Sequence, residues 1–406
     1  MTVSVDEQVA IIMRGTDYGD PTTRAHMERE LRERLKEGRP LRVYCGYDPT
    51  KPDLHIGHTI TMRKLRQFQD LGHDVTFLIG TYTSLIGDPS DKNKMRPILT
   101  PEEVAANAQT YAEQAFKILD RAKTRVRYNA DWLSKLTFAD LIRLGSNFTV
   151  QQFLQRENFA KRFDGGDPIF LHETFYGLMQ GYDAVAQETD VQVGGTDQLW
   201  NIIVAGRKLQ ESVGQRPQIG IITAILPGTD GAVKMSKSLG NHIALNDTPD
   251  DMYGKVMSIP DDAMWVYYDL VTRFTPAEIA EIRRAVESGA MHPMEAKKRL
   301  ALEITAIYHD DASARAAAEH FEVVHQKRDI PDDMPTFTLN GPQTIVDVMV
   351  AAQVAGTKSE ARRLVEQGGV RLDGERVDSI TYEVPSRESV LQVGRRKFVR
   401  LVAAQG

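Results

Sequence analysis

Two short clusters of residues carry chemistry that one reaction would need together. His55-Ile56-Gly57-His58 stands near the N-terminus, and Lys234-Met235-Ser236-Lys237-Ser238 follows about 180 residues later. His55 and His58 are three apart, so on a helix they share one face. Gly57 between them lets a ligand approach the backbone closely. A helix starting here would add free N–H donors and partial positive charge, which suits phosphate. Lys234 and Lys237 follow Pro227-Gly228-Thr229-Asp230-Gly231, a run that predicts a flexible loop able to close two ammonium groups over a triphosphate. Alone, the first cluster also fits two histidines capping a helix, and the second fits any solvated loop. In this order they predict attack of a carboxylate on the α-phosphorus of ATP, a step catalysed by positioning and by stabilising spreading negative charge.

The elements that must hold these residues follow from hydrophobic spacing. Residues 41–46, LRVYCG, form an apolar run suited to a buried strand. From His55 to Leu71 the apolar residues recur at helical spacing; Gly72 ends that helix, and Val75 to Gly80 is the next strand. Strand, turn, helix and strand make a βαβ unit. The pattern recurs with a capping box at Thr100-Pro101-Glu102-Glu103 that starts a helix to about Arg121, then the strand-like VRYNA. DVQVGG is a strand, Asp197 to Val213 a helix and IGIITAIL another strand. These predict a doubly wound α/β domain with its ligand at the carboxyl ends of the strands. Beyond the lysine loop, Thr248-Pro249 and Thr275-Pro276 start helices and Met294 to His309 continues in helix formers. The Pro- and Asp-rich DIPDDMPTFTLNGP reads as a linker. A short module of two helices and several strands then runs to Leu401.

Bulk composition is that of a globular chain: 406 residues, 41% hydrophobic and 26% charged, at about 100 to 200 residues per domain. No run of about 18 apolar residues predicts a membrane span. The N-terminal stretch lacks the marks of a secretory signal, and the single cysteine, Cys45, permits no intrachain disulfide and suits a reducing cytosol. A cytoplasmic location is therefore expected. The net charge of -6 argues against nucleic acid over the whole surface. From residue 341 onward, however, ten Lys and Arg face eight Asp and Glu, so the tail is +2 against -8 for the rest, a reversal favouring an RNA-facing tail.

The chain resembles the bacterial tyrosyl-tRNA synthetases of class I over essentially its whole length. Tyr44-Cys45-Gly46-Tyr47-Asp48-Pro49-Thr50 resembles that family's opening motif. Gly87-Asp88-Pro89-Ser90, Tyr176 with Gln180 and Asp183, and Gly194-Gly195-Thr196-Asp197-Gln198 follow in family order. The C-terminal module resembles an S4 RNA-binding domain. The resemblance implies a Rossmann-like parallel-sheet catalytic domain over 1–244, an α-helical domain over 245–328, a linker over 329–342 and a small α+β S4-like domain over 343–406. It implies formation of tyrosyl-adenylate from L-tyrosine and ATP, then transfer of the tyrosyl group to the 3′ end of tRNA(Tyr). Thr50, His55, His58, Lys92, Arg96, Lys234 and Lys237 would act in catalysis, Lys92 and Arg96 matching by spacing. Tyr44 and Asp183 would clamp the substrate phenol, while Asp88, Tyr176 and Gln180 would hold its ammonium group. Tyr176, Gln180 and Asp183, spaced four and three, share a helix face. Asp197 would accept from the ribose, with Gly46, Gly57 and Gly195 nearby, and Asp48 and Gln198 would touch the adenylate. Lys358, Arg362, Arg363 and Arg371 would contact RNA. Magnesium is expected with ATP, no protein-bound metal is expected for want of a Cys/His cluster, and a homodimer is implied by the resemblance alone.

Other readings divide on the same residues. A tryptophanyl-tRNA synthetase would share fold and both clusters but not the Tyr44/Asp183 clamp or the S4-like tail. A nucleotidylyltransferase would share the histidine helix in a far shorter chain. A non-catalytic S4 RNA-binding paralogue would have no use for His55, His58, Lys234 and Lys237.

Overall fold

The computed structural model describes residues 3–49, 54–89, 100–328, 334–339, 341, 343–394 and 397–403. The chain divides into two compact units, Met1–Ala318 and Glu319–Gly406. In the first, runs of aliphatic and β-branched residues pair as five parallel strands: β1 (Arg42–Tyr47), β2 (Asp74–Ile79), β3 (Thr124–Tyr128), β4 (Val191–Gly195) and β5 (Ile219–Thr223). All five residues of β5 are buried, as a strand covered on both faces requires. The order is β3-β2-β1-β4-β5, so it reverses between β1 and β4 and opens a crevice at their carboxyl ends.

Helices cover the sheet. α1 (Val5–Met13) and α2 (Pro21–Leu35) precede it, and α2 starts on Asp20, whose carboxylate accepts from the N–H groups of Thr22 and Thr23. α3 (Thr59–Asp70) follows a 3-10 turn over Ile56–His58, so the histidine cluster forms the tight entrance to the expected helix. α4 (Pro101–Ala115) has the expected Thr100/Glu103 capping box but stops well before Arg121. There Ile118 and Leu119 turn into the core, and Asp120 accepts from the Ala122 N–H to begin a separate 3-10 turn. Four short helices follow, α5 (Ala130–Leu133), α6 (Phe138–Gly145), α7 (Val150–Leu154) and α8 (Glu157–Gly165), and then α9 (Leu171–Ala186).

The helix expected over Asp197 to Val213 is broken into a 3-10 turn (Thr196–Gln198), a π-helical segment (Trp200–Gly206) and α10 (Arg207–Ser212). Gln218 explains the widening. Its Nε2 donates to the Ile202 carbonyl at 3.1 Å, inserting into the helical ladder. Gly206 makes room, since a Cβ there would lie 2.3 Å from that amide nitrogen. Beyond the lysine cluster come α11 (Pro249–Ser258), α12 (Asp261–Val271), α13 (Pro276–Glu287), α14 (Pro293–Tyr308) and α15 (Asp311–Arg328). Thr248 and Thr275 cap the first and third of these.

The second unit has its own core around Ile345, Val348, Met349, Val365 and Leu391. α16 (Ile345–Ala351) and α17 (Lys358–Glu366) pack with a five-stranded sheet whose longest strand spans Lys397–Ala403. Thr336–Leu339, inside the segment expected as a linker, is a strand of that sheet, parallel to Arg400–Ala403. Four residues alternating Thr with Phe and Leu suffice for an edge strand despite the Pro- and Asp-rich surroundings. No helix of the described residues is long and apolar enough to cross a membrane.

The sheet is pinned at the end opposite the crevice by one carboxylate. Asp190, 3% exposed, accepts from Arg34 at 2.7 Å, from Arg39 with two bonds of 2.8 Å and from the Arg42 N–H at 2.9 Å. Burial opposes its charge, but the bonds from Arg39, Arg42 and Arg34 outweigh it and hold its pKa below the ordinary carboxylate range. The network's contribution is therefore full at neutral pH and is lost only as pH falls below that range. Asp190→Ala would leave Arg34 buried without its ion partner. Urea unfolding at pH 7 should show a loss of about 3 to 5 kcal/mol, the usual cost of removing one partner from a buried pair. A loss below about 1 kcal/mol would show that the network is a surface-like pair.

Candidate active site

The crevice between β1 and β4 deepens into a cavity of about 630 Å³ whose walls include residues from both clusters. A short antiparallel pairing brings the clusters together. The Ile56 N–H donates to the Ile243 carbonyl at 3.0 Å, the Leu245 N–H donates to the Leu54 carbonyl at 3.1 Å, and His55 stands opposite Ala244. The lysine cluster is itself a braced hairpin, with the Met235 N–H on the Leu226 carbonyl at 3.0 Å and Pro227 opposite Lys234. Asp230, read from sequence as part of a flexible run, instead accepts from the N–H groups of Ala232 (2.8 Å) and Val233 (2.7 Å). Asn241 then ties the hairpin shut: its Oδ1 accepts from the Ser236 N–H at 2.8 Å and its Nδ2 donates to Asp230 Oδ2 at 2.5 Å. Gly228 is required beside it, because a Cβ there would lie 2.2 Å from Asn241 Nδ2. Lys234 and Lys237 thus face the cavity beside His55, Gly57 and His58.

The two imidazoles lie against each other with ring centres 3.8 Å apart and planes tilted by 39°. His58 Nδ1 accepts from the His55 N–H at 3.2 Å, which assigns its proton to Nε2. Burial pushes the His55 pKa down to about 2, with the charges of His58, His242, Lys237 and Lys234 acting in the same direction. A neutral imidazole beside two ammonium groups gives this end of the cavity a hydrogen-bonding and cationic lining.

The other end of the cavity is built for neutral and acidic hydrogen bonding. Tyr44, on β1, is 1% exposed and packs against Leu78, Ala184 and Trp132. Among the described residues its buried Oη has no hydrogen-bond partner. Asp183, one turn from the end of α9, accepts from Trp132 Nε1 at 2.8 Å and Asn129 Nδ2 at 3.3 Å. Burial pushes its pKa up to about 8, those two bonds pull it down and the charge of Asp48 adds to the rise. Tyr176 and Gln180 lie on the same face of α9 and also line the cavity. Tyr176 Oη donates to Asp48 Oδ2 at 2.9 Å, and Thr83 Oγ1 donates to the other oxygen at 2.7 Å. Gln198 bridges two carboxylates, donating to Asp88 at 2.7 Å and Asp197 at 3.1 Å. Asn201, from the π-helical segment, orients both amides: its Nδ2 donates to Gln180 Oε1 at 2.9 Å and Gln198 Oε1 at 3.1 Å. Widening the helix thus sets a side chain under the pocket floor.

The cavity also gathers Gly46 and Gly195 from the strand ends. Thr50, Lys92 and Arg96 lie outside the described residues. The four basic residues of the tail lie in the second unit, away from this cavity in sequence and unit. Lys358 is paired with Asp347 at 2.7 Å and Arg371 donates to the Gly374 carbonyl at 3.2 Å, while Arg362 and Arg363 on α17 are exposed. Sequence reasoning missed Asn129, Trp132, Thr83, Asn201, Asp230 and Asn241. Only Asn129 had a usable signal, a polar residue directly past the carboxyl end of a predicted strand.

Residues 36–326 match the family described as tRNA synthetases class I (W and Y), and residues 326–399 match the tyrosine–tRNA ligase SYY-like C-terminal domain. The tyrosine–tRNA ligase of Thermotoga maritima is 52% identical over 375 residues, covering 92% of this chain and 93% of that protein. That of Moorella thermoacetica is 49% identical over 399 residues, covering 98% and 96%. Among solved structures, a C-terminally truncated Aspergillus nidulans mitochondrial tyrosyl-tRNA synthetase aligns with a TM-score of 0.64 at 23% identity, over 79% of this chain and 93% of that one. The Archaeoglobus fulgidus tyrosyl-tRNA synthetase complexed with L-tyrosine aligns with a TM-score of 0.60 at 22% identity, over 78% and 100%. At those identities the two structures bear on fold alone.

The buried carboxyl gives a prediction independent of any ligand. In the empty protein Asp183 should titrate near pH 8, followed through its side-chain carboxyl carbon by NMR. Trp132→Phe removes the 2.8 Å donor and should move the titration further up. Because the folded pKa is raised, Asp183 opposes folding increasingly as pH climbs from the ordinary carboxylate range through about 8. Titration of Asp183 near pH 4 would contradict this electrostatic account.

Proposed function

Because the chain belongs to the class I tyrosyl-tRNA synthetases, we propose that the residues gathered in this cavity divide the family's reaction among them. The activity is that of a tyrosine–tRNA ligase: L-tyrosine and ATP give tyrosyl-adenylate and pyrophosphate, and the tyrosyl group passes to tRNA. The observation that carries the assignment of roles is the pairing that faces both clusters into one cavity.

At the deep end the substrate phenol replaces missing partners. Tyr44 Oη donates to the phenol oxygen, and a carboxyl oxygen of Asp183 accepts the phenol O–H, its orientation fixed by Trp132 and Asn129. Phenylalanine would leave both groups unpaired in a buried pocket, which is costly. Asp88, Tyr176 and Gln180 hold the ammonium group, with Asp48 setting the Tyr176 phenol. The tyrosine carboxylate oxygen then attacks the α-phosphorus while the bond to pyrophosphate breaks. His55 as a neutral donor, His58 through its Nε2 N–H, and Lys234 and Lys237 as charges meet negative charge as it moves onto the leaving group. Asp197 accepts from the ribose, and Gln198 links that carboxylate to Asp88, joining the nucleotide and amino-acid ends. Gly46, Gly57 and Gly195 let the nucleotide lie against backbone. Thr50, Lys92 and Arg96 are assigned to the phosphates by family resemblance. Magnesium accompanies ATP.

The domain boundaries proposed are 1–244, 245–328 and 343–406 around a linker at 329–342, with the strand Thr336–Leu339 joined to the last sheet. Arg362 and Arg363 are proposed as RNA contacts, with Lys358 and Arg371 beside them, and the cytoplasm as the location. A homodimer is proposed on exposed apolar side chains of α6–α9: Phe138 (77%), Ile142 (60%), Val150 (71%), Phe163 (63%) and Leu171 (74%). The number of exposed aromatic and aliphatic side chains within one stretch of chain supports that reading. Sedimentation should give a dimer that Phe163→Glu with Leu171→Glu dissociates; a monomeric wild type at micromolar concentration would remove the proposal.

ATP–pyrophosphate exchange and tRNA charging test the roles together. Exchange should depend on tyrosine and on magnesium. Lys234→Ala and Lys237→Ala should each slow adenylation by about 10²-fold or more while the tyrosine dissociation constant stays unchanged. Arg362→Glu with Arg363→Glu should leave exchange intact and cut charging, with a shallower salt dependence. Lysine variants that weaken tyrosine binding yet keep the rate would refute the phosphate assignment, and unimpaired charging would refute the RNA assignment.

A further inference from the structure

We propose that Tyr308, the last residue of α14, is a positioning residue for adenylation that acts on the histidine turn through Thr59. Thr59 Oγ1 donates to the Ile56 carbonyl at 2.7 Å and lies 2.5 Å from Tyr308 Oη. A threonine hydroxyl has one proton, and here the carbonyl takes it, so Tyr308 must be the donor in the second bond. Thr59 is 0% and Tyr308 4% exposed, so no bulk water competes for either group. Burial raises the phenol pKa, which keeps the donor protonated. In such surroundings a hydrogen-bonded chain strengthens along its length, and a broken link is not repaired by solvent.

The chain ends on the peptide that matters. Ile56 lies between His55 and Gly57; its N–H is held by the Ile243 carbonyl at 3.0 Å and its carbonyl by Thr59. Both strands of the pairing that joins the two clusters are thereby anchored to the same helical layer. On the lysine side, Asp247 accepts from the Ala244 N–H at 2.7 Å and from Lys255 of α11 at 2.7 Å. On the histidine side, α14 supplies Tyr308, and α14 packs against α11. The helices beyond the lysine cluster therefore hold the phosphate site in register without touching substrate. This inference rests on the proposed phosphate role of His55 and His58.

Single-turnover adenylation by the full-length protein tests it, with Tyr308→Phe, Thr59→Val, Thr59→Ser and the Tyr308→Phe/Thr59→Val double variant. His58→Ala measured alongside reports separately on the histidine role itself. Tyr308→Phe and Thr59→Val should each slow adenylation about tenfold, with the dissociation constant for tyrosine unchanged. Thr59→Ser, which keeps the hydroxyl, should restore most of the rate, and the double variant should be no slower than Thr59→Val alone. A wild-type rate in Tyr308→Phe, even with a lowered melting temperature, would make Tyr308 merely structural and overturn the proposal. Multiplicative losses in the double variant, or a matching loss of tyrosine affinity, would overturn it as well.

Discussion

Two hydrogen bonds between Leu54–Ile56 and Ile243–Leu245 bring the histidine turn and the lysine hairpin onto one cavity. The histidines close the turn before α3, and the lysines close a hairpin after β5, so neither is near the other in sequence or by virtue of the sheet alone. The pairing turns two weak motifs into one cavity wall. Everything around it serves that geometry: Asn241 and Asp230 shape the hairpin, and the helical layer anchors both strands. Backbone hydrogen bonds suit the purpose because their register admits no sliding when the flanking residues, Leu54, Ile56, Ile243 and Leu245, are buried.

Along the cavity the electrostatics change sign of purpose. At the outer end an imidazole with a depressed pKa stands beside the two ammonium groups of Lys234 and Lys237. At the inner end stand a carboxyl pushed up to about 8 and a buried phenol that is unpartnered among the described residues. Burial gives each end a desolvation cost, which under the proposed roles the substrate would offset. Gln198, bonded to both Asp88 and Asp197, spans the middle and couples the two ends.

What was legible in the sequence was local. The spacing of His55 and His58, and the four-then-three spacing of Tyr176, Gln180 and Asp183, follow from helix periodicity, and the structure places all five in the cavity. The doubly wound parallel sheet followed from repeated strand–helix alternation, whereas the strand order that makes the crevice came only with the structure. What was hidden was nonlocal. Asn129 and Trp132 reach Asp183 from more than 50 residues away, which no motif predicts. The π-helical segment depends on Gln218 meeting Gly206, and helix propensity alone reads that stretch as continuous. Thr336–Leu339 is a strand only because Arg400–Ala403 lies beside it. The Pro-Gly-Thr-Asp-Gly run looked loose because glycine and aspartate are read as loop residues, whereas here each meets a specific bond or close approach.

The central claim is that the histidine turn and the lysine hairpin act as one phosphate site. A double-mutant cycle on His58→Ala and Lys237→Ala, read as the rate constant of tyrosyl-adenylate formation, tests it most directly. Groups sharing one transition-state charge should couple, so the double variant should fall short of the product of the single losses by about 1 kcal/mol or more. Strictly multiplicative losses would mean that the two clusters act independently, and the account of a single site would be wrong.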